Sequence, residues 1–136
     1  MLVVLAAVAG GIALALRARL GTDAPIRPTW MVPTHVDRAD LGRPDAPWMV
    51  AVFSSATCLA CRGTWEKARQ LESDDVAVQD IDAVADKALH ERYGVDAVPL
   101  VLVIGPDGAV HDSFLGEPSA ADLWAKVADA REGDAT

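Results

Sequence analysis

A chain of 136 residues with 51% apolar side chains has material for one compact domain with short appendages. Its formal net charge of −8 excludes a nucleic-acid surface built on basic residues, and no basic stripe, phosphate-cradling glycine loop or internal repeat is present. Two cysteines are too few for the disulfide framework that supports small secreted scaffolds.

Leu2 to Leu16 carry no charged or polar side chain, and Arg17 and Arg19 follow. A cleaved signal peptide, a membrane anchor and a buried core helix are the three readings of residues 1–20. A signal peptide wants positive charge before its apolar run and a small-residue cleavage site after it. This run offers no basic side chain before it and Arg17-Ala18-Arg19-Leu20-Gly21 after it. It is apolar all round, which argues against a helix lying on a surface. At about 15 residues it is short for a span, but arginines can snorkel and lengthen it. The reading favoured is an uncleaved hydrophobic helix anchoring the chain in the cell membrane by a single pass. Arg17, Arg19 and Arg27 all follow the run, so the positive-inside rule places the domain in the cytoplasm; extracytoplasmic placement is the alternative. Without this segment the chain carries a net charge of about −10, which disfavours anionic surfaces.

Residues 21–45 contain Pro25, Pro28, Pro33 and Pro44 and read as a linker and lead-in. Within them Val32–Val36 is a candidate edge strand. Trp30 and Met31 either pack on the domain or sit at a membrane interface. The domain proper is expected over 46–132, with a frayed tail at 133–136. Trp48–Phe53 is a continuous apolar run, the mark of a strand buried on both faces. After Ser54-Ser55-Ala56-Thr57 comes Cys58-Leu59-Ala60-Cys61, the only cysteines, opening a helical pattern predicted from Cys58 to about Glu72. Thr57 is its expected N-cap, and Trp65, Ala68 and Leu71 its core face. A thiol at a helix N-terminus is biased toward the thiolate, the species that attacks disulfides, so this spacing points to thiol–disulfide chemistry. Half a metal site is the other use of two cysteines. His35, His90 and His111 are scattered, none at ligand spacing from another, so no metal and no cofactor is expected. Each histidine reads as a solvated surface residue, His90 on the polar side of a helix.

Val76–Ile81 alternates as a second strand. Val84–Tyr93 reads as a helix with Val84, Ala88, Leu89 and Tyr93 on its inner side, stopped by Gly94. Pro99 precedes a third buried strand, Leu100–Ile104. Pro106-Asp107-Gly108 is a hairpin signal, and Ala109–Leu115 the returning strand. Pro118 opens a last helix with Leu123, Trp124, Val127 and Ala128 as its apolar face. The order predicts an α/β fold with a central mixed sheet between helices.

Three segments in this order resemble the thioredoxin family over about residues 46–131. They are Val50–Phe53 leading to Cys58-Leu59-Ala60-Cys61, then Arg92–Pro99, then Pro106-Asp107-Gly108 with Phe114-Leu115-Gly116 and the closing helix. The resemblance implies a thioredoxin-like fold and a thiol–disulfide oxidoreductase whose partners are protein thiols and disulfides. Cys58 would be the nucleophile and Cys61 the resolving thiol. Pro99 would be cis, beside the cysteines, with the Val98 backbone pairing to a bound peptide. Arg62 would support the thiolate, or be only a solvated first-turn residue. Three departures stand out: Thr57 replaces the family's tryptophan, Leu59-Ala60 replaces its Gly-Pro, and Val52 stands where its buried acid belongs. A non-catalytic thioredoxin-like adaptor and a redox sensor are the other readings.

Overall fold

The computed structural model describes residues 30–134. The expected anchor at 1–20, the first part of the linker and the last two residues of the tail lie outside the described residues. Among the described residues no helix is long and apolar enough to cross a membrane.

The apolar run becomes β1 (Trp48–Ser54), buried along its whole length. It is flanked by β2 (Val76–Asp82), which runs parallel to it, and β3 (Leu100–Ile104), which runs antiparallel. β4 (Val110–Leu115) returns antiparallel to β3, giving the order β2-β1-β3-β4. The parallel pair requires a crossover, and α1 (Leu59–Ala68) supplies it. α1 tightens into a 3-10 turn at Arg69–Leu71 instead of running on to Glu72. α2 (Lys87–Arg92) covers one face of the sheet and α3 (Ala120–Gly133) shares the other with α1. This is the mixed sheet between helices that the element order predicts.

Each face has its own core. Met49, Ala51, Phe53, Ile81, Leu100, Leu102 and Ile104 pack beneath α2. Trp48, Val50, Val52, Val76, Val101 and Val103 pack beneath Ala68, Leu123 and Val127. Burying side chains of this size stabilises the fold by roughly 1.5–3 kcal/mol each.

Several expectations are corrected. The candidate edge strand Val32–Val36 makes only a single bridge, His35 with Ala109, since Pro33 has no N–H to give a ladder. Even so, Val36 and Leu41, within the stretch read as lead-in, are buried in the core. The second helix starts at Lys87, because the Asp82 carboxylate accepts the Val84 and Ala85 N–H groups and holds a turn there. Val84 is therefore 82% exposed, and Ala88 is also outside. His90 is not a surface residue. It is buried, its ring lies edge-on to Phe53, and its Nε2 is 2.8 Å from the Ile81 carbonyl. In α3, Leu123 and Val127 face inward, while Trp124 and Ala128 are exposed. Ser119 caps that helix by accepting the Asp122 N–H.

Two glycines sit where their backbone needs them. Gly94, at φ +63°, ends α2 as expected. Gly108, at φ +84°, closes the hairpin, and a Cβ there would strike the Val36 carbonyl. Arg38, which no sequence pattern singles out, ties the lead-in down: its guanidinium donates to the Pro47, Gly105, Arg43 and Ala46 carbonyls. Trp30 and Met31 remain largely exposed and border a shallow recess with Val95, Ala97, Leu100 and Leu115.

Candidate redox site

β1 ends at Ser54, and the chain turns through Ser55-Ala56-Thr57 into α1. Cys58, not Thr57, is the N-cap. Its backbone is extended, and its Sγ accepts the Cys61 N–H at 3.1 Å. The helix therefore begins one residue later than expected. Thr57 is left exposed with its hydroxyl 3.2 Å from Ser55 Oγ. One turn into α1, Cys61 is buried at 3% exposure, while Cys58 is only half-buried. The two sulfurs are joined as a disulfide, with Cα atoms 5.2 Å apart.

The pair opens onto a recess of about 250 Å³. Ser54, Ser55 and Ala56 line it from β1 and the loop, Arg62 and Trp65 from α1, and Asp80 and Asp82 from β2. Arg62 shares this lining with the cysteines and is exposed to solvent. Trp65 has two surroundings, since it also packs against the core beneath α1. Asp80 and Asp82 were not legible as site residues. The Ala85 and Val84 N–H groups hold the Asp82 carboxyl below the ordinary carboxylate range. Asp80 Oδ1 accepts from Ser54 Oγ at 2.5 Å.

Val98 and Pro99 do not line this recess. They lie at the same end of the sheet. The β1–β3 register pairs Phe53 with Leu100, so the next residues outward are Ser54 and Pro99. The Val98–Pro99 peptide bond is cis, Pro99 is buried, and its carbonyl accepts the Gly116 N–H.

No family model matches the chain. A probable thioredoxin of the archaeon Methanothermobacter thermautotrophicus is 31% identical over 86 residues, which span 61% of this chain and 95% of that protein. The chain belongs to the thioredoxin family. Solved thioredoxins agree. A mutant thioredoxin from Halobacterium salinarum superposes with a TM-score of 0.55 at 26% identity, over 62% of this chain and 74% of its own. Fasciola hepatica thioredoxin matches in fold with a TM-score of 0.54 at 24% identity, over 62% and 81%. As a member of the thioredoxin family with a C-x-x-C disulfide, the protein is a thiol–disulfide oxidoreductase.

Proposed function

We propose that the protein is a membrane-tethered oxidoreductase that exchanges disulfides with protein substrates, attacking through Cys58 and resolving through Cys61. The observation that carries this assignment of roles is the unequal placement of the two sulfurs. Cys58 caps α1 and is open to solvent on one side, whereas Cys61 is buried one turn inside. The Cys61 N–H aimed at Cys58 Sγ, together with the helix dipole, stabilises a thiolate on Cys58. Val98 and Pro99, at the same end of the sheet, supply the backbone edge on which a substrate peptide lies. Thr57 and Arg62 flank the attacking sulfur.

Alkylation of the reduced protein tests the assignment. Iodoacetamide should modify Cys58 first, with a pH midpoint below the reference thiol value of about 8.5. Equal labelling, or labelling of Cys61 first, would count against these roles.

The tether rests on the apolar run Leu2–Leu16 and the arginines behind it. Full-length protein should stay with membranes through a high-salt wash, and a chain starting at Thr22 should not. Extraction of the full-length chain by salt would remove the tether. The same arginines put the domain on the cytoplasmic side. A C-terminal reporter that folds only outside the membrane should therefore stay inactive.

A further inference from the structure

We infer that Asp80, supplied by β2 to the recess beside the cysteines, lowers the reduction potential of the Cys58–Cys61 couple and so biases the pair toward giving up its electrons. This rests on the oxidoreductase reading above and names the use to which that site is put.

Val52 of β1 is fully buried and apolar. The parallel register pairs Val52 with Asp80. Both belong to the face beneath α1, for Val50 and Val52 of β1 pack there with Val76 and Val78 of β2, and Asp80 is the next residue on that side. The strand has reached its open end at Asp80, so the carboxylate meets the recess and not the core. The negative charge at this end of the sheet thus comes from β2, in a solvated position. Ser54 is itself 5% exposed, and its hydroxyl fixes one oxygen of that carboxylate.

Among the described residues, few charged groups line the recess with the cysteines. β2 contributes Asp80 and Asp82, α1 contributes Arg62, and β1 and the loop contribute only Ser54, Ser55 and Ala56. The Val84 and Ala85 N–H groups draw Asp82's charge into the turn. Among the described residues Asp80 has no such backbone donors, so the side chains of the recess, two carboxylates against Arg62, oppose the helix N-terminus that favours the Cys58 thiolate. A thiolate is favoured by positive surroundings, and couples whose reduced form is stabilised in that way are oxidants. Negative surroundings withdraw that stabilisation, and the dithiol gives up its electrons more readily.

In the reducing direction, the Cys58 thiolate attacks one sulfur of a substrate disulfide. A Cys58–substrate bond forms, and the other substrate sulfur leaves with the electron pair. Cys61 then loses its proton and attacks Cys58 Sγ. The Cys58–Cys61 bond forms and the second substrate thiolate departs. Two electrons pass from the protein dithiol to the substrate, and the two protons end on its thiols. A thiol reductant restores the dithiol.

The test is equilibration of the full-length protein, D80N, D80E and R62Q with glutathione buffers, reading the oxidised fraction by mass after alkylation. D80N keeps an acceptor for Ser54 but loses the charge. It should move the midpoint about three- to tenfold toward easier reduction, tenfold being about 30 mV for a two-electron couple. D80E should stay with the wild type, and R62Q should move the opposite way. Titration of the reduced proteins by thiolate absorbance should show the Cys58 midpoint lowered in D80N and raised in R62Q. The difference between D80N and wild type should shrink at about 1 M salt, where screening reaches a few ångströms. An unmoved D80N, a shift of the wrong sign, or a D80E that moves as far as D80N overturns the inference alone. A wild-type pair that never equilibrates with glutathione overturns the oxidoreductase reading, and the inference with it.

Discussion

Cys61→Ser should accumulate covalent adducts with substrate proteins that vanish on adding dithiothreitol. Cys58 remains at the head of α1, half-exposed, with its sulfur facing the N–H of residue 61, so the first attack proceeds. The second step requires a thiolate at position 61, one turn away, and a serine hydroxyl does not displace a sulfur there. The mixed disulfide then lasts until external thiol reaches it. Cys58→Ser should trap little, because the attacking sulfur is gone and Cys61 is 3% exposed. Non-reducing gels of cell extracts, followed by identification of the bands, read both results and name the substrates. A folded, reduced Cys61→Ser protein that forms no adducts would move the balance to the adaptor reading.

Phe53→Ala should destabilise the domain by about 3–5 kcal/mol, the range for truncating a large core aromatic. Phe53 is fully buried near the end of β1, and His90 meets its ring edge-on with centroids 5.1 Å apart. Its removal leaves a cavity bounded by rigid strands and strips the imidazole of its apolar partner. For a domain of this size that is a fall of roughly 15–30 °C in Tm, measurable by thermal unfolding. Phe53→Leu should recover most of the loss. Trp124→Ala, at a position 42% exposed, should change Tm far less. A Phe53→Ala loss under about 1 kcal/mol would mean that the core relaxes around the gap.

Much of this architecture was readable from the amino acids. Continuous apolar runs identify β1 and β3 because strands buried on both faces have no polar side to confuse the pattern. The cysteine spacing, Pro99 and the hairpin glycine lie in order along the chain, so the redox pair and the cis bond were expected in place. Several differences between the sequence pattern and the structure share one physical origin, side chains bonded locally. Asp82 turns the chain before α2 and pushes Val84 outward, where apolar periodicity alone extends the helix over it. His90 is buried because the Ile81 carbonyl satisfies its ring nitrogen, and composition cannot signal such a partner. Cys58 caps with sulfur, a role that residue preferences assign to Thr57. Asp80 is the clearest case. Along β2 it reads as an ordinary polar step of an alternating strand, and only the register against Val52 brings it to the cysteines.

The lead-in enters the domain at Trp30, beside Ala97, Leu100 and Leu115, before passing to the hairpin end where His35 meets Ala109. That entry point is at the cysteine end of the sheet, since Leu100 pairs with both Phe53 and Leu115. Whatever is attached ahead of residue 30 is therefore leashed to the working end of the molecule. Residues 21–29, even fully extended, reach no more than roughly 30 Å. A body held at residue 20 would keep Cys58 in a zone little wider than the domain itself, and would favour disulfides presented within that zone over those diffusing freely beyond it.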